Sequence, residues 1–468
     1  MERIFFKPEK LFLIICLFWG FFYLVLSPPF TAADECSHFW KIHLLASGHF
    51  GTKKLTSDVM LGIPRGKILS QSGEYIPLGM VKAGYRNIKT RGRLTEKTSF
   101  EVTKEILSYP LQKDIQVFNT FPVPFYSGLS YLTSIPVMKV MQISKVNPGW
   151  MMYILRLVSL FTYTALIYAA IKITPVKKWL FFALALLPTA VYQASMINTD
   201  GITTGTGFIF IALTLYFAYG KNNTMLSTKQ LVFYALTAVY FLICKFAYIP
   251  MIFIYFLIPS KKFVDKKIQI GTFLLILLAV MSYTFLTFIL NDHANKGTDC
   301  YFERQMAAIV LAAQPLFVLK AILYTSIVQA KSFLCSIIGL FGWREVTMPA
   351  YSAVLYYFVL VSFAMCNFKD EFSRAYISLK EKIGFVFIFV SYYFILFIVL
   401  FLAFQIRTDG LIDCFFGRYF IPVLPLILLV FYNRKIQIKT EFLRFINIFI
   451  INLVLLIALI RIFIRFYV

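Results

Sequence analysis

Long apolar runs, each near the length of a bilayer crossing, alternate along this chain with short clusters of lysine and arginine. The first run covers residues 11 to 26 and stops at Ser27-Pro28-Pro29. Proline lacks the N–H that a helix interior needs, so the two prolines end the helix there. Residues 27 to 149 form a long polar segment that turns apolar at 121 to 141. Pro122, Pro124, Pro136 and Lys139 argue against a continuous crossing, and the pattern predicts a helix lying in the membrane interface. Spans are predicted near 150–171, 178–195, 202–219 and 269–290. Residues 229 to 259 are too long for one crossing and are interrupted at Cys244-Lys245-Phe246, which predicts a tight hairpin with Lys245 at its tip. Residues 291 to 350 read as a second outer segment with buried or interfacial helices, because Lys320 and Lys331 interrupt the apolar stretch 307–341. Spans near 352–368 and 384–404, one beginning near Arg418, and one at 445–464 complete the chain.

Charge orients these elements. Placing Lys172, Lys177, Lys178, Lys221, Lys229, Lys261, Lys262, Lys266 and Lys267 in the cytoplasm leaves 121–141 and 291–350 outside. Later clusters, from Lys369, Arg374, Lys380 and Lys382 to Arg434, Lys435 and Lys439, fit the same frame. The predicted fold is therefore an all-α polytopic membrane protein of roughly eleven spans. It is one transmembrane domain over residues 1–468: the first span, an outer loop with juxtamembrane helices (27–149), a block of spans (150–290), the second outer segment (291–350) and a final block (351–468). Residues 1 to 26 have the basic head and apolar run of a signal peptide, but no small-residue cleavage site follows. They read as a retained span with a cytoplasmic amino terminus.

Composition sharpens the class. Hydrophobic residues make up 59% of the chain and charged residues 15%, far from an ordinary soluble domain. The net charge of +24 lies in the clusters between apolar runs, which excludes nucleic acid as the reason for it. The seven cysteines have neither zinc-ligand spacing nor a scaffold pattern. A disulfide among Cys36, Cys300 and Cys414, all expected outside, stays open. No internal repeat supports a transporter built on repeats.

On this topology, charges distant in sequence meet at the outer face. They are Asp34, Glu35 and His38, then Asp200, Lys245, the Trp343-Arg344-Glu345 cluster, and Arg418. Each also has a structural reading. Asp34 and Glu35 can solvate a helix end, and Asp200 can cap the helix after it. Lys245 can snorkel, Arg418 can anchor, and Arg344 can pair with Glu345. Their convergence favours chemistry. A carboxylate suits removal of a proton from an acceptor hydroxyl, while lysine and arginine suit phosphate oxygens. Paired acids also leave a divalent cation open.

The opening Pro28-Pro29, Asp34-Glu35-x-x-His38-Phe39 and Leu45-Ala46-Ser47-Gly48 resembles that of the C-type glycosyltransferase superfamily (GT-C). The rest of the chain resembles one bacterial branch, the family DUF2142. The resembling blocks are Phe121-Pro122-Val123-Pro124-Phe125-Tyr126, Ala183-Leu184-Ala185-Leu186-Leu187-Pro188, Ser195-x-x-Asn198-Thr199-Asp200, Lys245-Phe246-Ala247-Tyr248-Ile249-Pro250, Gly339-Leu340-Phe341-Gly342-Trp343 and Gly417-Arg418-Tyr419-Phe420-Ile421-Pro422. The chain departs from the branch pattern at Asp34-Glu35-Cys36-Ser37-His38, where a proline or small residue follows the acids, and at Phe-Pro-Val-Pro, where adjacent prolines are usual.

The resemblance implies a GT-C-like bundle that moves a sugar from a polyprenyl-phosphate carrier to a cell-envelope glycan or lipid-linked acceptor, O-antigen for example. Transfer would take place on the outer face of the bacterial cytoplasmic membrane. It makes Asp34 the leading catalytic carboxylate with Glu35 in support, and Asp200 the second outer-loop acid. From charge and position, His38, Lys245, Arg344 and Arg418 join Asp200 as substrate-binding residues. Two further classes stay open: a transporter or flippase of lipid-linked sugars, and a glycan polymerase or ligase.

Overall fold

The computed structural model describes residues 7–50, 53–54, 72–120, 127–220, 224–295, 299–368, 375–404, 406–438 and 441–468. The aromatic-proline block 121–126, together with Arg65, Lys67, Lys221, Lys369, Arg374 and Lys439, lies outside them, as does the Cys300 side chain.

Helix α1 (Pro8–Leu26) has proline in its first turn, where no intrahelical N–H is needed, and it ends before Pro28-Pro29. One face carries Phe12, Cys16, Trp19 and Tyr23 and is buried, while Ile14, Phe18 and Phe21 are exposed. After Glu9 and Lys10 the helix is apolar on all sides, and its bare apolar face suits contact with lipid chains. Tyr23 donates to the Leu455 carbonyl at 2.8 Å, and Trp19 donates to Asn452 Oδ1 at 2.9 Å.

A small lobe follows. It contains α2 (Glu35–Ala46), β1 (Lys53–Lys54), β2 (Ser72–Pro77), α3 (Leu78–Tyr85), α4 (Phe100–Ser108), β3 (Gln116–Thr120) and α5 (Ser134–Ile143). The strands form an antiparallel sheet in the order β1-β2-β3. Phe30, Phe39, Trp40, Ile76, Met80, Tyr131 and Met138 build a core distinct from that of the bundle, closed by Met151, Met152 and Leu155 of the next helix. Every residue of α2 is buried. The interface helix expected over 121–141 begins, where described, as a 3-10 turn at Gly128–Tyr131 and continues as α5, packed on α2.

The bundle proper starts with α6 (Pro148–Ile173), whose 26 residues span about 39 Å. Then come α7 (Lys178–Ala185), α8 (Pro188–Ala194) and α9 (Asp200–Tyr219). Helices α6 and α9 pack closely: a Cβ at Gly205 would lie 2.8 Å from the Leu166 side chain. Helix α10 (Thr228–Cys244) stops at Lys245, and Phe246–Leu257 returns as a 3-10 helix, so the hairpin turns where the sequence places it. Next are α11 (Lys266–Asn295), α12 (Asp299–Ala313), α13 (Pro315–Val328), α14 (Ala330–Ile338), α15 (Ala350–Met365), α16 (Leu379–Phe404), α17 (Leu424–Leu429) and α18 (Phe442–Tyr467).

Among the described residues, six helices are long and apolar enough to cross a membrane: α1, α6, α9, the Lys266–Ile289 part of α11, α16 and α18. This makes the chain a multi-pass, mostly helical membrane protein. The count of roughly eleven is not reproduced by length and composition. The reason is local. The segment expected at 178–195 is broken at Pro188 into α7 and α8. The one expected to begin near Arg418 is a 3-10 turn, Gly417–Phe420, followed by the short α17. The pair Glu303–Ala313 and Pro315–Val328 bends by 104° at its proline break.

The two ends of α6 differ in chemistry. Beyond its carboxyl end, Lys177 donates to the Cys366 carbonyl at 2.6 Å and Lys178 to the Ile171 carbonyl at 2.8 Å. Lys382 similarly donates to the Tyr432 carbonyl at 2.8 Å. Cations suit the open carbonyls of helix carboxyl ends. The lobe and the candidate site lie at the amino end of α6.

Candidate functional site

The site is assembled on a fixed floor. Arg156, on α6, is fully buried and spends all five guanidinium N–H groups. Nη1 donates to the carbonyls of Leu24 at 2.9 Å and Ser27 at 2.7 Å, and Nη2 to that of Pro28 at 3.1 Å. Those carbonyls are left open because the prolines stop α1. The remaining donors, Nε and Nη2, grip Glu35 at 2.7 and 2.6 Å. The Ile197 N–H adds a contact to the same carboxylate at 3.3 Å. Both side chains of this pair are 0% exposed. Glu35 therefore ties α1, α2, α6 and the loop before α9 together. It supports Asp34 by position and offers no oxygen to a ligand.

Asp34 stands one residue away in opposite circumstances. Its backbone is left-handed, φ 59° and ψ 5°, a region that aspartate tolerates better than most residues. It occupies the cap position of α2, yet its side chain does not cap the helix. Among the described residues its carboxylate has no hydrogen bond and no ion pair. Burial raises its pKa above the usual 3.8, against the pull of Arg418, Lys245 and Arg91. The result is a half-buried carboxylate, more basic than an ordinary aspartate, that senses three cations without being neutralised by any of them.

The third acid is clamped by cations. Asn198 Oδ1 accepts from the N–H groups of Asp200 at 2.8 Å and Gly201 at 3.3 Å, so Asn198 rather than Asp200 serves the start of α9. The Asp200 side chain is thereby left for other partners. Lys245 Nζ pairs with Oδ1, and Arg418 Nε lies 3.4 Å from Oδ2. The three side chains are 13 to 16% exposed.

Aromatic rings hold the cations from the other side. Lys245 Nζ is 4.8 Å and Arg418 Cζ 5.3 Å from the centre of the Tyr419 ring. Tyr248 and Tyr392 are stacked and buried, and both donate their hydroxyls to the Tyr419 carbonyl, at 2.7 and 2.5 Å. The turn carrying Arg418 is also backed by α14. Ser336 Oγ accepts from the Gly417 N–H at 2.8 Å, and a Cβ at residue 417 would fall 2.3 Å from the Ile337 nitrogen.

The remaining expected ligands divide. Arg344 does not pair with Glu345. It pairs with Asp413 at 2.9 Å and lies over the Phe416 ring at 4.4 Å, with Arg418 over the same ring at 4.9 Å. Arg344 is thus at the exposed rim, one ring away from Asp200's cluster. His38 is buried, with Nδ1 2.6 Å from the Tyr131 hydroxyl. Burial pulls its pKa down to about 3, so it is a neutral scaffold group near the acids rather than a cation.

Arg156, Asn198, Tyr131 and Tyr419 are neighbours of the candidate site to which the sequence assigned no role. An arginine inside an apolar run is a signal that was available for the first of these. Cys36 and Cys414 are free thiols; Cys36 accepts from Arg91 Nη2 at 2.8 Å, and burial lifts its pKa to about 11. Asp34 and Asp200 are a poor donor set for a divalent ion, because Asp200's oxygens face Lys245 and Arg418. Among the described residues no three of His, Cys, Asp and Glu are grouped to hold a metal.

A family model described as "Predicted membrane protein (DUF2142)" matches residues 17–427. No curated protein and no solved structure matches the chain.

Proposed function

Because the chain belongs to the DUF2142 family of predicted membrane proteins, we propose, from its site chemistry, that it is a glycosyltransferase of GT-C type. In this reading it moves a sugar from a polyprenyl-phosphate carrier to a cell-envelope glycan. The observation that carries the reading is the Asp34 carboxylate, unpaired among the described residues, beside cations held on an aromatic platform. These are the two opposite requirements of sugar transfer, a base for the acceptor and positive charge for the leaving phosphate.

The step is a single displacement. Asp34 takes the proton of an acceptor hydroxyl as that oxygen bonds to the anomeric carbon. The bond from that carbon to the phosphate oxygen breaks, and its electron pair leaves with the lipid phosphate toward Lys245 and Arg418. Attack opposite the leaving group inverts the anomeric centre. Glu35 and Arg156 hold the loop so that Asp34 keeps its place. The lysine-rich far end of α6 favours the cytoplasm by the charge rule. In this reading the site faces outward from the cytoplasmic membrane, and the shorter and broken segments are additional passes. The GT-C-like topology is part of the same proposal.

The test uses purified full-length protein in lipid nanodiscs with a polyprenyl-phosphate sugar and envelope glycan acceptors. Formation of a glycosidic bond without an ion gradient is expected, with one sugar added per acceptor by mass spectrometry. In proteoliposomes, donor crossing the bilayer with no bond formed would replace the enzyme by a transporter. Addition of an oligosaccharide would indicate a polymerase or ligase.

A further inference from the structure

The phosphate-holding cations already have an anion on them, and it belongs to the protein. Asp200 bridges Lys245 and Arg418 with its two oxygens, as two oxygens of one phosphate would. Resting on the proposed phosphate-carrier reading, we infer that Asp200 is an internal counter-ion exchanged for the donor's phosphate during binding.

Three observations carry the exchange. First, the cations have a second support besides Asp200. Both lie over the ring of Tyr419, whose carbonyl is held by Tyr248 and Tyr392. Second, the bridge is reachable. Its side chains are 13 to 16% exposed, whereas the Glu35–Arg156 pair is sealed at 0%. Third, Asp200 can move without unwinding its helix. The backbone at its position is held by Asn198, and only the short side chain has to turn. A resident carboxylate gives the two mostly buried cations a counter-charge while no ligand is bound, which offsets the cost of their desolvation. It also sets a threshold: a neutral lipid cannot displace it, and a phosphate can, since its greater charge and additional oxygens compete for the same donors.

The test measures binding of farnesyl monophosphate to the full-length protein in nanodiscs, with farnesol as the uncharged control. Asp200→Asn is expected to bind farnesyl monophosphate at least tenfold more tightly than wild type, with farnesol binding unchanged. Lys245→Gln and Arg418→Gln are each expected to weaken phosphate binding about tenfold or more. If these two variants bind as wild type does, the phosphate reading itself fails. If they lose binding but Asp200→Asn gains none, the exchange fails and the phosphate site stands. A second readout uses wild-type protein and does not depend on Asp200→Asn folding. Carbodiimide with a small amine is applied with and without farnesyl monophosphate, and adduct at residue 200 is counted by mass spectrometry. Adduct rising severalfold on binding is the expected result; adduct unchanged or falling overturns the exchange.

Discussion

Two ion clusters lie at the same end of the bundle, and they are built for opposite ends. The Glu35–Arg156 knot is dry, bidentate and saturated: every guanidinium donor has an acceptor, and the pair is 0% exposed. The Asp200–Lys245–Arg418 cluster is looser, with a 3.4 Å contact on one side and part of every side chain in reach of solvent. Asp34 belongs to neither, although it is adjacent in sequence to the knot and electrostatically coupled to the open cluster. Burial and saturation turn a charge pair into scaffold, whereas partial exposure and looser contacts leave it able to react. Neighbouring acids in a sequence therefore need not share a role.

Breaking the knot gives the largest effect. Glu35→Gln leaves Arg156 charged and buried without its counter-ion, which costs about 3–5 kcal/mol in comparable buried pairs. The expected outcome is a large loss of folded protein, read by thermal unfolding in detergent. Retained stability would mean that the pair is not the fastener described above.

Asp34→Asn is expected to do the reverse. Sugar transfer falls about 10²- to 10⁴-fold, the usual contribution of a general base. Stability holds or rises slightly, because burial raises Asp34's pKa in the fold and its ionised form is therefore disfavoured there. The pH dependence follows with its sign. A raised folded pKa means that the folded state binds this proton more tightly than the unfolded state, so stability is lost as pH rises through the raised value. Activity runs the other way, because the base must be ionised. The acidic limb of kcat/KM is expected above the ordinary aspartate pKa of 3.8. A limb at the ordinary value would detach Asp34 from the rate.

A smaller effect is expected from the platform. Tyr419→Leu removes the ring beneath Lys245 and Arg418, interactions worth about 0.5–2 kcal/mol each. Donor affinity should weaken severalfold with little change in melting temperature. Arg344→Gln should matter least. Its ion pair with Asp413 is partly exposed on both sides, 42% and 33%, and such pairs contribute about 0–1 kcal/mol. Less than a threefold change in turnover is expected. A loss as large as that of Asp34→Asn would move Arg344 from the rim to the centre.

The class of fold was legible because a bilayer imposes long apolar runs and proline interrupts them. Pro28-Pro29 ends α1, and Lys245 marks the turn after α10, where the sequence puts them. The crossing count was less legible. Apolarity and charge register a segment such as 178–195 as one span, while Pro188 divides it. The gathering of Asp200, Lys245 and Arg418 followed from topology alone, since each begins or ends a helical segment at one end of the bundle. Glu35's partner did not follow, because Arg156 is 121 residues away inside an apolar helix. The tyrosines beneath the cations were hidden for another reason. In a chain with 28 of them, no single tyrosine stands out until its carbonyl is seen to be held by two others.

The most direct measurement is the initial rate of sugar transfer from a polyprenyl-phosphate donor by folded Asp34→Asn, at the same concentration of folded protein as wild type. A rate reduced about a hundredfold or more, in a protein that melts no lower than wild type, is the expected result. Transfer at the wild-type rate would contradict the assignment of Asp34 as the working carboxylate.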